Sequence, residues 1–258
     1  MSYETLQYDL AAGVASITLA RPAARNALDA RMRTELLHAL RRAAGEARVV
    51  LLTGAGEDFC AGQDLGQRRN AADLDHERAL VEEYAPLVTA LAECPLPSIA
   101  AVNGLAAGAG VSLALAADVV IASDAARFSF AQARLGLAVD AGASHWLPQA
   151  VGLPRAMGAA LFAEPVSAAQ AAEWGMIWEV VPHAGFEAHV ARRAATLAAG
   201  PTLAYAAIKR SLRAGHARAL ADQLALEATE QGAALRSRDH AEALVALHEG
   251  RPPRFEGR

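Results

Sequence analysis

Hydrophobic and polar residues alternate with a period of two over residues 5–10 and again over 14–19, on either side of an Ala-Ala-Gly turn. That pattern predicts a β-hairpin. Arg21-Pro22 ends its second strand, because proline cannot donate to a ladder. The period then lengthens. Met32, Leu36, Leu37 and Leu40 share one face of a helix that runs to about Ala44, with Asp29 placed to cap it. Three short unbroken apolar runs follow, at 48–54, 97–102 and 118–122, each bounded by glycine, proline or acidic residues and each too short for a helix. They predict strands buried on both faces. A helix over about 76–93 separates the first two runs.

Beyond Pro148 the chain turns helical, with segments predicted at about 153–162, 167–174, 185–199, 201–214 and 217–248, the last broken near Gly232. The pattern predicts one α/β core over residues 1–195 and a helical region over 196–258, with no low-complexity linker and no internal repeat of fixed period.

Composition narrows the class. A chain of 258 residues, 53% hydrophobic and 20% charged, can bury roughly three quarters of its unfolded surface and is neither disordered nor fibrous. The net charge of −4 provides no global basic field for a phosphate backbone. Cys60 and Cys94 lack metal-ligand spacing and read as reduced thiols. Met1-Ser2-Tyr3-Glu4 is unlike the start of a signal peptide, and no apolar run approaches a membrane span. The expectation is a cytoplasmic protein that binds no nucleic acid, no membrane and no metal. Lys209 is the single lysine among 24 basic residues.

Three glycine-containing turns follow or interrupt the buried strands: 59–65, 103–115 and 136–143. Small residues let backbone N–H groups approach a ligand, and a helix starting there aims its positive end at the same place. The same composition also serves plain close packing. Neither stretch fits a dinucleotide fingerprint or a phosphate loop. Asp140, alone in an apolar run, reads from spacing as an ordinary cap of a helix starting at Ala141. The eight histidines show no paired ligand spacing and read as structural or solvated. Spacing alone stops at a soluble α/β enzyme-like protein.

Taken in order, Arg21-Pro22-Ala23-Ala24-Arg25-Asn26-Ala27-Leu28, the segment Phe59 to Leu65, the segment Ala101 to Leu115 and the Asp140 region resemble the crotonase (enoyl-CoA hydratase/isomerase) superfamily over nearly the whole chain. Phe-Cys-Ala-Gly-Gln-Asp-Leu at 59–65, Ala-Ala-Gly-Ala-Gly at 106–110 and Glu-Trp-Gly-Met-Ile-Trp at 173–178 are similar to its 2-(1,2-epoxy-1,2-dihydrophenyl)acetyl-CoA isomerase branch, which serves phenylacetate breakdown and also shifts double bonds in enoyl-CoAs. The resemblance implies an α/β spiral of ββα units, with C-terminal helices that assemble trimers or dimers of trimers. It implies an acyl-CoA thioester whose enolate oxygen is held by the backbone N–H groups of Gln63 and Ala109. Coenzyme A then arrives as part of the substrate, and no further cofactor is expected.

The carboxylates decide the reaction. The two glutamate positions of the family's hydratases are occupied by Ser112 and Gln132, neither of which titrates near neutrality. Asp140 stands where the isomerase branch keeps its acid–base aspartate. The apolar neighbours Leu137, Val139 and Trp146 are expected to desolvate it. The branch's usual proline before this aspartate is Val139 here, and its Gly-Gly pair is Gly142-Ala143, so the acyl pocket differs in shape. The resemblance places Arg25, Ala27, Ala61, Asp64 and Leu65 around the pantetheine and adenine, and Lys209 on the CoA phosphates. Arg25 and Lys209 read equally as solvated surface charges. Two other functions remain open: a broad enoyl-CoA hydratase using Asp140 alone, and a non-catalytic CoA- or RNA-binding relative. For the latter, Arg41-Arg42, Arg68-Arg69 and Arg192-Arg193 are the basic patches, set against the negative net charge.

Overall fold

A computed structural model of the chain describes residues 2–66 and 76–257; the Arg68-Arg69 patch lies outside them. The predicted hairpin forms from β1 (Leu6–Ala11) and β2 (Val14–Leu19), antiparallel with Leu6 opposite Leu19. Strands β3 (Val49–Gly54) and β4 (Ser98–Val102) then add in parallel, and so do β6 (Val119–Ser123) and β9 (Glu179–Val181), giving a six-stranded sheet of order β1-β2-β3-β4-β6-β9. A smaller sheet, β5 (Leu105–Ala107), β7 (Arg127–Ser129) and β8 (Val166–Ser167), has the order β5-β7-β8.

The three apolar runs are the central strands, and their alternation divides the interior into two cores. Val50, Leu52, Ala100, Val102, Val120 and Ala122 face the main core, whereas Val49, Ile99, Ala101 and Ile121 face a second one. Helix α1 (Ala30–Glu46) packs on the main side, and Asp29 caps it as expected, its carboxylate accepting from the Met32 N–H at 2.7 Å. The second core is closed by α8 (Phe186–Ala198), whose Phe186, Val190, Ala194 and Ala198 recur every fourth residue.

Between β3 and β4, α2 (His76–Ala79) runs through a π turn over Leu80–Tyr84 into α3 (Ala85–Ala92), with helical backbone at both junctions. The buried stripe steps by five residues from Ala79 to Tyr84, then continues through Leu87, Val88 and Leu91. That five-residue step is the sequence trace of the π turn. Helix α4 (Ala109–Ala116) has all eight residues buried, as befits a helix that is apolar all round. Helices α5 (Ala143–Val151), α6 (Leu153–Phe162) and α7 (Ala168–Glu173) complete the layer; Ser167 and Gln170 form a capping box at the start of α7.

Helix α5 starts later than expected. Its N-cap is Gly142, with no side-chain bond, so Asp140 does not cap it. The C-terminal helices are α9 (Thr202–Gly215), α10 (Leu220–Leu235) and α11 (Arg238–Glu249). The break falls at 236–237 and not near Gly232, because the Ser237 hydroxyl accepts from the His240 N–H and starts a new helix there. No described helix is long and apolar enough to cross a membrane.

Candidate active site

The site grows from three backbone segments laid side by side. Cys60 bridges β5 in parallel: its N–H donates to Leu105 and its carbonyl accepts from Ala107, at 3.0 and 2.9 Å. Two residues on, the Gly62 carbonyl accepts from the Leu28 N–H at 2.7 Å. In a trans peptide, C=O and N–H point in opposite directions, so the Gln63 N–H points away from Leu28. Gly62 has φ +88°, and a Cβ there would lie 2.5 Å from the Ala107 oxygen and 3.3 Å from the Ala109 nitrogen. Only glycine allows the two segments to come so close.

Ala109 is the first residue of α4, where an N–H has no acceptor within the helix. The Gly108 carbonyl points along the helix to Val111 N–H at 3.0 Å, so the Ala109 N–H points out of its start. The segments that carry Gln63 and Ala109 therefore lie side by side at the start of a fully buried helix. In such surroundings fixed dipoles act at low dielectric, which is what stabilisation of a developing oxyanion requires.

Asp140 reaches the same place through its partners. Its Oδ1 accepts from Gln132 Nε2 at 3.1 Å, and that amide lies 3.7 Å from where a Cβ on Gly108 would stand. The backbone oxygen of Asp140 accepts from the Ser112 hydroxyl at 2.9 Å, and Oδ2 lies 3.5 Å from His76 Nε2. The two positions that lack glutamates are therefore not idle: Ser112 and Gln132, both buried, hold the aspartate in place. Asp140 is 16% exposed at its side chain. Its shielding differs from expectation. Val139 and Trp146 are partly buried against the main core, but Leu137 is 38% exposed and stands in an exposed run over 133–138. The groups that meet the Asp140 carboxylate are polar, Gln132 on one oxygen and His76 near the other.

His76 is the residue that spacing does not reveal. It is part-buried and stands three residues before the buried Ala79, on the same side of its helix and ahead of the π turn.

Behind the donors, the buried Arg33 donates to Glu83 at 2.9 Å and to the Leu28 carbonyl at 2.9 Å, and lies 4.8 Å over the Tyr84 ring. Burial pushes the Tyr84 hydroxyl well above its ordinary value, and pushes the Cys60 thiol up to about 12. Cys60 is a packing residue at neutral pH, not a nucleophile.

Five of the six expected CoA residues meet around the 60–65 segment. The Arg25 carbonyl accepts from the Ala61 N–H at 2.9 Å, next to the buried Ala27. The turn at Arg25 and Asn26 has positive φ at both residues and is held by Asn26, which donates to Ala55 and Asp58 and accepts from Arg21. The Arg25 guanidinium pairs with Asp58 at 2.6 Å, which raises the arginine and holds the Asp58 carboxyl below its ordinary range. Asp64 pairs with Arg21 at 2.8 Å, and Leu65 is exposed.

Lys209 is elsewhere. Its ammonium donates to the Cys94 and Leu96 carbonyls at 2.7 and 2.6 Å and pairs with Asp118 at 2.6 Å, with the side chain 9% exposed. An ammonium has three protons, and all three are used. The ammonium is thus engaged within its own chain, away from the 60–65 segment, and the reading as a solvated charge is corrected. Lys209 and Arg213, 3.0 Å from the other Asp118 oxygen, fasten α9 to the core.

These features define an α/β protein in which the segments carrying Gln63, Ala109 and Asp140 converge at the start of a buried helix. The family model for enoyl-CoA hydratase/isomerase matches residues 9–258. A Rhodobacter capsulatus protein named "Probable enoyl-CoA hydratase" is 55% identical over 258 residues, covering 100% of both chains. The 1,2-epoxyphenylacetyl-CoA isomerase of Escherichia coli is 42% identical over 253 residues, covering 95% of this chain and 96% of that one. Among solved structures, the enoyl-CoA hydratase/isomerase from Cupriavidus metallidurans superposes with a TM-score of 0.92 at 33% identity, covering 100% of this chain and 98% of the other. The chain belongs to the enoyl-CoA hydratase/isomerase family and has the crotonase fold.

Proposed function

We propose that this enzyme is an acyl-CoA isomerase that works through a thioester enolate, with Asp140 as its acid–base residue. The observation that carries the reading is the make-up of the carboxylate site: Asp140 stands near the paired donors, while Ser112 and Gln132, which cannot titrate there, support it. In a 3-enoyl-CoA, Asp140 takes a proton from C2, and the electron pair spreads over C2–C4 and the thioester oxygen. The Gln63 and Ala109 N–H groups hold that oxygen. Asp140 returns the proton to C4, leaving the double bond between C2 and C3. One carboxylate suffices, and the chemistry calls for no cofactor beyond the coenzyme A of the substrate. The similarity to the E. coli isomerase supports a ring epoxide of phenylacetyl-CoA as an alternative acyl group.

Arg25, Ala27, Ala61, Asp64 and Leu65 form the candidate CoA wall, because they converge on the segment that carries Gln63. Residues 196–258 are the proposed oligomerisation region of a trimer or dimer of trimers. Exposed Leu212, Leu220, Leu224, Leu244 and Leu247 on α9–α11 are apolar side chains that such an assembly would cover.

A second reading, hydration, is favoured by the name of the R. capsulatus relative. Product analysis with cis- and trans-3-enoyl-CoAs, crotonyl-CoA and the phenylacetyl-CoA epoxide separates the two. Isomerase chemistry predicts 2-enoyl or rearranged products and negligible hydration of crotonyl-CoA. A 3-hydroxyacyl-CoA as the main product contradicts it.

A further inference from the structure

The carboxylate of Asp140 is held at one oxygen by Gln132, and a second group stands at the other. His76 Nε2 lies 3.5 Å from Asp140 Oδ2, on the opposite oxygen from the Gln132 amide. Two atoms on these flanking residues are unusual. His76 Nδ1 and Gln132 Oε1 are both buried, and neither has a hydrogen-bond partner among the described residues. Buried polar atoms are nearly always paired; among the described residues Asn103 Oδ1 and Gln223 Oε1 are also without a partner, but only at Asp140 do two such atoms sit on residues flanking one carboxylate.

The helix supports the same reading. His76 lies in a helical segment whose register is reset by the π turn over Leu80–Tyr84. Without that inserted residue the stripe Ala79, Tyr84, Leu87 would lose its alignment, and His76 would rotate away by about the 100° that one residue contributes. Such turns lower helix quality and persist mainly where a side chain must be aimed.

We infer that His76 is a positioning residue for the isomerisation: its Nε2–H donates toward Asp140 Oδ2 while Gln132 donates to Oδ1, so the carboxylate plane is fixed from both sides. A carboxylate held this way keeps its remaining lone pairs aimed at the path between C2 and C4. His76 itself accepts no proton from the substrate. The inference rests on the Asp140 reading given above.

The test is a double-mutant cycle on a 3-enoyl-CoA substrate with His76→Phe, Asp140→Asn and the pair together, with His76→Gln and His76→Asn as companions. Loss of a positioning contact should lower kcat by about 10- to 100-fold in His76→Phe and leave KM within about twofold. His76→Gln keeps an N–H donor of similar reach and should recover most of kcat. His76→Asn is polar but one bond shorter, and should behave like His76→Phe. The double variant should be no slower than Asp140→Asn alone, because His76 acts only through that carboxylate. Should His76→Phe fail to fold, the Gln and Asn variants still separate the outcomes.

An inactive Asp140→Asn beside a His76→Phe of wild-type kcat overturns the positioning role and leaves the Asp140 reading intact. Losses that multiply in the double variant, or a rise confined to KM, overturn it as well. An Asp140→Asn variant of near wild-type kcat removes the Asp140 reading, and the role of His76 falls with it.

Discussion

Replacing Lys209 by methionine distinguishes the fold's use of this residue from the ligand contact its position suggests. Methionine keeps the apolar stem and removes the ammonium. The structure then leaves the Cys94 and Leu96 carbonyls without their donor and deprives Asp118 of one of its two cations. Breaking a buried ion pair on one side costs about 3–5 kcal/mol. The lower end applies here, because Arg213 remains 3.0 Å from the other Asp118 oxygen and Ser98 still donates to Asp118 from both its N–H and its hydroxyl at 2.8 Å. A loss of about 3 kcal/mol corresponds to a fall in Tm of roughly 6–12 °C for a chain of this size. Thermal unfolding followed by calorimetry reads the first quantity, and KM for an acyl-CoA at low salt reads the second. The expected outcome is a lowered Tm with KM within about twofold, because the three ammonium protons are engaged within the chain. A several-fold rise in KM with an unchanged Tm would refute the reasoning and restore Lys209 to the CoA phosphates.

Two further outcomes follow from the same geometry. Gly62→Ala forces a Cβ to 2.5 Å from the Ala107 oxygen at a φ of +88°, which must push the Gln63 and Ala109 segments apart; kcat should fall on the order of 100- to 1,000-fold, as for loss of an oxyanion donor, and steady-state kinetics of the folded variant check it. Light scattering at micromolar concentration should give three or six times the 26.8 kDa chain, and the mass of a single chain would remove the oligomer reading.

The sequence is most readable where one local rule decides the outcome. The apolar runs at 48–54, 97–102 and 118–122 are unbroken because both faces of the strands they form are covered, and Asp29 caps α1 because it stands just before the apolar period begins. It is least readable where the answer depends on residues far away in the chain. Lys209 gathers Cys94, Leu96 and Asp118, which the sheet topology brings together and no spacing predicts. Spacing alone reads Asp140 as a cap, and only the family resemblance singles it out; the fold sets it between Gln132 and His76, with α5 starting beyond it. Gly232 looks like a helix break, yet an exposed helix tolerates glycine at about 1 kcal/mol, and the local cap at Ser237 decides the boundary. The π turn that aims His76 leaves only a single five-residue step in an apolar stripe, too faint to separate from an irregular helix beforehand.

The central claim is that one carboxylate carries the proton. Asp140→Asn keeps the shape of the side chain and removes the acceptor, so substrate binding should be preserved. The rate of 3-enoyl-CoA isomerisation by this variant, measured alongside the dissociation constant of a non-isomerisable acyl-CoA, is the most direct test. The account predicts a fall in kcat of at least about 100-fold, the lower end of what a general base contributes, with the dissociation constant within about twofold of wild type. Isomerisation at near the wild-type rate would contradict it.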